Sequence, residues 1–512
     1  MSSEIELKLA LSTEAARALG RDPLLAATTI KGPHTQGFYG VYYDTPEHAL
    51  ARNGVALRVR KQGRRWIQTV KEEGRVEGGM HERPEYEAPA PDGQINLIAL
   101  EATPVAALFA DPDVAPRLAP LFVTDVRRTM RLLSDDRAEI ELALDRGELK
   151  AGERTEPICE LELELKSGAT DALYDLALAL QDKVRLRPEN RSKAERGYVL
   201  AGVETPGPVR AQAAAIDAAQ PVSRAFQTVA FACLAHAQAN ERGILAGDPD
   251  PEYVHQMRVG LRRLRSVFSV FGSVLPRPAC QPAIDEIRWI AASLGPARDW
   301  DVFATETLPP IADAFPEHEG LAQLATEVAT LREEGNRSAR AAVASERYER
   351  LLLRLAAWLA CEKWRVVMPA DALPILDEPL QTFAVRVLQR RHRRVKRRGR
   401  DHASFSPDER HQLRIAVKKL RYCAEFFGPI FEPNAVRAYA RGLMALQDVL
   451  GVLNDATVTS RLLHELVARH PEPSYAESIG IVTGWTRQFM VERLGHLAEA
   501  WERFEDAKPF WR

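Results

Sequence analysis

The stretch Glu4-Ile5-Glu6-Leu7-Lys8 alternates charge with hydrocarbon at every step. A period of two marks a β-strand whose faces differ, so Glu4, Glu6 and Lys8 share one face and Ile5, Leu7 and Leu9 the other. A charged face turned into a fold must be satisfied by water, counter-charges or a metal ion. Turned outward, it is the polar face of an edge strand. Taken alone, the strand allows both. The device then returns downstream: Arg58 and Arg60 share a face of residues 55–60, Ile67, Thr69 and Lys71 one of residues 66–71, and Arg83, Glu85 and Glu87 one of residues 81–87. Glu139, Glu141 and Asp145 stand opposite Ile140, Leu142 and Leu144, and Glu160-Leu161-Glu162-Leu163-Glu164-Leu165-Lys166 repeats the opening pattern. Residues 13–27 read as helix, and residues 38–44 as an aromatic strand ended by the turn Asp44-Thr45-Pro46.

Several alternating strands carrying both signs of charge fit a closed antiparallel barrel, covered outside and ionic inside. Such an interior suits a polyanion: Lys8, Arg58, Arg60 and Lys71 can grip phosphate oxygens, arginine as a planar fork and lysine as a point charge. Carboxylates repel the same phosphate unless a divalent ion sits between, so Glu4, Glu6, Glu162 and Glu164 point to Mg²⁺ or Mn²⁺, which prefer oxygen ligands. A sheet of solvent-facing salt bridges is the alternative.

The ExExK opening, Tyr43-Asp44-Thr45-Pro46, Leu57-Arg58-x-Arg60, Thr69-Val70-Lys71, Glu162-Leu163-Glu164 and Ser192-Lys193-x-x-Arg196-Gly197-Tyr198 resemble the CYTH, or triphosphate tunnel metalloenzyme, superfamily. The stretches from Gly74 to Tyr86 and from Glu156 to Glu162 are similar to its bacterial inorganic triphosphatase branch. The resemblance implies an eight-stranded tunnel in which Glu4, Glu6, Glu162 and Glu164 hold metal. It implies that Lys8, Arg58, Arg60 and Lys71 act on the triphosphate and that Arg128, Lys193 and Arg196 bind it. Arg127 and Arg131 compete with Arg128 for that position. Glu85, Glu141 and Asp145 match further acidic positions without a resolved role. The implied reaction is metal-dependent hydrolysis of tripolyphosphate to pyrophosphate and phosphate. Adenylate cyclase, nucleoside or thiamine triphosphatase activity, and a non-catalytic polyphosphate scaffold, are the alternatives.

With 512 residues there is room for about three domains. Gly202-Val203-Glu204-Thr205-Pro206-Gly207-Pro208 breaks every regular pattern, and helical spacing follows it to the C-terminus. The expected layout is a tunnel domain at 1–202, a linker at 203–214 and a helical domain at 215–505. That helical part contains a repeat. His255-Gln256-Met257-Arg258 to Arg265 returns as His411-Gln412-Leu413-Arg414 to Arg421, an offset of 411 − 255 = 156, placing the copies at about 215–365 and 375–505. Steps of three and four put His255, Arg258, Arg262 and Arg265 on one helix face, and His411, Arg414, Lys418 and Arg421 on another. Between the copies, residues 386–400 hold nine basic side chains and no acidic one, a segment that seeks polyanions.

This half resembles the CHAD domain, a histidine-marked α-helical domain associated with CYTH enzymes. The resemblance implies two pseudo-symmetric helical bundles whose basic faces bind inorganic polyphosphate. Nucleic acid is the competing polyanion, but base reading or stacking needs exposed aromatics or amides among the cations, and residues 390–400 supply none. Metal binding by His255 and His411 is disfavoured by the arginines around them. The fold class expected is thus α+β in two parts, an antiparallel tunnel followed by an all-α duplication. The five cysteines are scattered without a CxxC pair, which suits reduced thiols. Neither a membrane span nor a secretory signal is evident, so a cytoplasmic location is expected, with association to polyphosphate granules left open.

Overall fold

The computed structural model describes residues 3–370, 373–400, 405–470 and 473–512. It divides into two compact units: residues 1–207 with 346–361, and residues 208–345 with 362–512. In the first unit lie ten strands: β1 (Ser3–Ala10), β2 (Thr29–Asp44), β3 (Val55–Gln62), β4 (Arg65–Glu72), β5 (Arg75–Glu77), β6 (Met80–Pro89), β7 (Ala119–Ser134), β8 (Ala138–Ala151), β9 (Arg154–Gly168) and β10 (Arg187–Pro188). Eight of them run in the order β1-β9-β8-β7-β2-β3-β4-β6, and β6 returns to pair with β1, closing the sheet into an antiparallel barrel. β5 and β10 are appended to β6 and β1.

Closure explains the alternation. Leu7, Leu9, Leu57, Val59, Leu161 and Leu163 point away from the lumen and are almost fully buried, so the barrel is covered outside and its charged faces look inward. Two expectations change in detail. Residues 13–27 form two helices, Thr13–Leu19 and Pro23–Thr28, because Asp22 caps the second and Pro23 occupies its first position. The strand at residues 38–44 begins nine residues earlier, at Thr29, where it forms a long ribbon with β7.

Local chemistry aims the remaining parts. The Asp44 carboxylate accepts from the backbone N–H groups of Thr45, Leu50 and Ala51 at 2.7, 2.8 and 3.0 Å, so the Asp-Thr-Pro turn is a structural cap. Ser192 and Glu195 form a capping box at the start of helix Lys193–Ala201. Gly197 lets that helix lie against the barrel: a Cβ there would fall 2.1 Å from the Phe122 ring. Helix Glu346–Ala360, drawn from the middle of the helical sequence, also belongs to this unit. Arg185 makes a two-pronged contact to Glu349 at 2.8 and 2.9 Å, and Gln181 donates to the Glu349 carbonyl at 3.2 Å.

The second unit is helical, and its repeats meet at equivalent places. Val222 N–H donates to Glu378 O at 3.2 Å and Leu380 N–H to Gln220 O at 2.9 Å, a reciprocal bridge between the starts of the two copies. Phe271 and Phe427, 156 residues apart, pack at 5.8 Å between ring centroids, with Phe383 beside both. The histidines obey the same offset: His236 contacts Gln256 and the Val209 carbonyl, and His392 contacts Tyr439, both buried. None of the five cysteines, all among the described residues, is in a disulfide. Among the described residues, no helix is long and apolar enough to cross a membrane.

Candidate functional site: an ionic barrel interior and a basic helical face

The barrel encloses a cavity of about 810 Å³. Glu4, Glu6, Lys8, Arg58, Arg60, Lys71, Arg128, Glu162, Glu164 and Lys193 all line it, so residues far apart in sequence converge in one lumen. Glu85 and Glu141 line it as well. The neighbouring arginines separate cleanly: Arg127 is exposed, Arg131 reaches the Gly20 carbonyl, and Arg128 turns inward. Arg196 is not on the cavity wall. Its guanidinium donates to Glu156 at 2.9 Å, Glu160 at 3.3 Å and the Pro157 carbonyl at 2.7 Å, which places it behind Glu160 as a support.

One side of the lumen is a dense ion network. Arg128 forks onto Asp145, with both contacts at 2.7 Å, and also meets Glu162. Asp145, Glu160 and Glu162 have carboxylate oxygens within 4.8 Å of one another, a spacing that could hold a metal ion. The cation among them is Lys193: its ammonium lies 2.7 Å from Asp145 and 2.8 Å from Glu162, with Glu160 as a third partner. Lys8 bridges Glu6 at 2.9 Å and Glu162 at 3.3 Å. Burial opposes charge on Glu162, but Arg128, Lys193 and Lys8 hold its carboxyl well below the usual range. Burial likewise opposes charge on Lys8, and Glu6 and Glu162 outweigh it, raising the lysine above its ordinary value.

Two other regions carry charge that the protein compensates in part: Arg58 lies 3.8 Å from Glu85, Arg60 3.4 Å from Glu87, and Glu164 2.6 Å from Lys166. Arg58, Arg60 and Arg128 crowd together, and burial with the repulsion of Arg58 and Arg128 pushes Arg60 down to about 10. The Nε atoms of Arg58 and Arg60 are buried without a hydrogen-bond partner. Phe38 lies beneath this group, with Arg60 at 5.0 Å and Arg128 at 5.7 Å from its ring centroid. Opposite in sign are Glu4 and Glu164. Burial raises both; Glu4 is raised further by its hydrogen bond with Glu85, and Glu164 by the nearby Glu4 and Glu141. Lys71 contacts Glu4 at 3.2 Å and Glu85 at 2.8 Å without cancelling the surplus on Glu4.

A divalent cation fits this region, since clustered hard oxygen donors raised by burial and then by neighbouring carboxylates are the setting such an ion relieves. Of the four expected ligands, Glu4 and Glu164 stand nearest to that condition. All four would coordinate only by exchanging a contact to a basic group: Glu4 faces Lys71, Glu164 faces Lys166, Glu6 and Glu162 face Lys8, and Glu162 also faces Lys193 and Arg128. Glu160 was absent from the expected site. Its parity with Glu162 and Glu164 was the available signal.

In the helical unit, helices Glu252–Val270 and Pro407–Phe427 carry the two basic stripes. The stripes are mutual neighbours: Arg262 donates to the Tyr422 hydroxyl at 2.9 Å, and Arg262 repels both Arg414 and Lys418. Burial and these cations push Lys418 down to about 8. His255 is half-buried beside Arg298, while His411 and Arg265 are exposed. Arg258 donates to the Ala291 carbonyl at 3.0 Å, and Arg421 is engaged by Gln447 at 2.7 Å and Glu425 at 3.4 Å. The face is not purely basic: Asp299 lies near Arg258, and Asp455, 156 residues later, near Arg414 and Lys418.

Residues 2–198 match the CYTH domain family, and residues 228–464 match the CHAD domain family. An inorganic triphosphatase of Haemophilus influenzae is 38% identical over 205 residues, which are 39% of this chain and 55% of that protein, so the chain spans about half the length of this relative. An uncharacterized protein of Mycobacterium tuberculosis is 27% identical over 469 residues, 87% of this chain and 85% of that one. The crystal structure of the CHAD domain from the plant Ricinus communis aligns over 98% of its length and 59% of this chain, at 35% identity and a TM-score of 0.51.

Proposed function

The chain belongs to the CYTH and CHAD families, one domain joined to the other, and from that premise we propose that its barrel hydrolyses inorganic tripolyphosphate to pyrophosphate and phosphate with the help of Mg²⁺ or Mn²⁺, while its helical unit binds inorganic polyphosphate. The observation that carries the reading is the pairing of two surpluses inside one closed cavity: guanidinium groups with unpartnered buried donors, and carboxylates held above their usual range. A phosphate chain satisfies the first and a divalent cation the second. The Haemophilus relative, named an inorganic triphosphatase, supports the choice of substrate.

Phosphoryl transfer asks for positioning and charge neutralisation more than for covalent chemistry. Arg58, Arg60 and Arg128 are placed to grip non-bridging oxygens, and Lys8 to neutralise the group transferred. Lys193, on the cavity wall, holds Asp145, Glu160 and Glu162 in place, and Arg196 holds Glu160 from behind. Lys71 keeps Glu4 and Glu85 together. Water attacks the terminal phosphorus, the bridging P–O bond breaks, and pyrophosphate leaves with the electron pair; a lumen carboxylate orients the water. A divalent ion held by Glu4, Glu6, Glu162 and Glu164 would supply further charge neutralisation on the phosphate oxygens.

The test is a substrate panel of tripolyphosphate, long polyphosphate, ATP and thiamine triphosphate, with and without Mg²⁺. Phosphate release from tripolyphosphate that depends on the metal is expected. Turnover of ATP or thiamine triphosphate with none of tripolyphosphate overturns the substrate assignment.

A further inference from the structure

The helical unit contains a second cationic surface that the duplicated stripes do not account for. Helix Leu380–Gly399 buries Leu380, Phe383, Val387, Leu388, His392 and Val395, and presents Arg386, Arg390, Arg393, Arg394 and Arg397 outward. With Ser269, Gly272 and Ser273 these arginines line a groove of about 1020 Å³ that no carboxylate-bearing residue lines. Arg386 is tied to Glu378, and Arg391 donates to the Ser269 carbonyl at 2.7 Å, fixing one wall. No hydrogen bond or ion pair engages Arg390, Arg393, Arg394 or Arg397 within the protein among the described residues.

The groove and the stripes are separate. None of the eight stripe residues lines the groove. On helix Pro407–Phe427, burial and then Arg414, Arg262 and Arg421 depress Lys418, while burial and then Arg391, Arg394 and Arg398 depress the adjacent Lys419. Neighbouring residues on a helix point about 100° apart, so this helix faces one cation cluster on each side.

Duplication supplies the control. Subtracting 156, the offset obeyed by the buried pair His236 and His392, converts Arg390, Arg393, Arg394 and Arg397 into Leu234, Ala237, Gln238 and Glu241. In the first copy the corresponding helix stops at Ala239, Glu241 begins the next one, and Leu234, Ala237 and Glu241 are buried, so the exposed arginine face belongs to the second copy alone. Burial and then Arg390 and Arg394 hold Arg391 below its ordinary value, and burial and then Arg394 and Arg397 do the same to Arg398, a crowding that a bound polyanion relieves.

We propose that this groove, whose arginines come from the second repeat alone, is an independent site for an extended inorganic phosphate chain. The arginines follow helical steps of three and four along one face, about 16 Å from Arg386 to Arg397 at 1.5 Å per residue, which matches a linear polyanion. No aromatic side chain lines the site to stack a base. Two separated faces let one long chain bind twice, so affinity rises with chain length beyond what either face gives.

The experiment uses the full chain in EDTA with short polyphosphate of defined length, reading stoichiometry and salt dependence by titration calorimetry. The R390Q/R393Q/R394Q/R397Q variant is expected to lose one binding event and to reduce the salt slope by about three to four, one released counterion per lost contact. The R262Q/R265Q/K418Q variant keeps that event and loses another. Replacing the four groove arginines with lysine restores binding, and the melting temperature of the glutamine variant stays at or above that of the parent. Unchanged stoichiometry and slope in the glutamine variant overturn the groove while leaving the stripe reading intact. Loss confined to the groove variant overturns the stripes and leaves the groove. Displacement by a single-stranded oligonucleotide more readily than by polyphosphate assigns the groove to nucleic acid and overturns the inference.

Discussion

The barrel interior and the helical faces both collect charge, but they treat it oppositely. In the barrel, acids and bases from distant strands neutralise one another: Lys193 among three carboxylates, Arg128 between Asp145 and Glu162. On the helices, cations crowd one another despite the nearby Asp299 and Asp455, and burial together with that crowding pushes a lysine down to about 8. Paired charges held in place inside the barrel are a preorganised setting, which is what a transition state rewards. Unpaired charges on an open face suit capture of a ligand that brings its own counter-charge. The difference suggests a division of labour between chemistry and holding.

The largest expected effect lies on the barrel side. Lys8→Ala should reduce tripolyphosphate hydrolysis by about 10²–10³-fold, the usual scale for removing one preorganised charge at a reacting centre, read as phosphate release with Mg²⁺. Unaltered turnover would remove the barrel from the chemistry. Next comes Lys193→Met, which strands Asp145, Glu160 and Glu162 together and should cost about 3–5 kcal/mol in denaturant unfolding. The matching helical change, Lys418→Met, should leave the unfolding midpoint unchanged or raise it. Equal losses in the two variants would erase the contrast between paired and unpaired charge.

Gly197→Ala should cost about 1–3 kcal/mol, as overpacking does, and should lower activity by shifting Lys193. The smallest effect is a titration. Lys418 has a folded value near 8 against an ordinary 10.5, so between those values the unfolded chain binds more protons and stability rises with pH. Polyphosphate affinity should fall over the same interval as the ammonium is lost, and Lys418→Met should flatten both trends. A calorimetric pH series with and without that substitution measures it.

Much of this was legible in the chain because strand parity is local. Glu4 with Glu6 and Lys8, or Arg58 with Arg60, must share a face wherever residues 3–10 and 55–62 are strands. The choice between Arg127 and Arg128 was not legible, since parity divides the two without saying which face is the lumen. Arg196 carried the right motif, yet three oxygen partners retire it from the cavity wall. That Asp299 serves Arg258 and Asp455 serves Arg414 required packed helices.

By itself, then, the sequence determined the two fold classes, the faces of the strands and helices, and the duplication with its offset, since all of these follow from periodicities of two, 3.6 and 156 along one chain. Only tertiary structure decided that β6 closes onto β1, that an ammonium occupies the tightest carboxylate cluster, and that helix Glu346–Ala360 is counted with the barrel. Those outcomes depend on which distant groups meet, and their energies come from burial and from charges brought within a few ångströms. Neither quantity exists until the chain has folded.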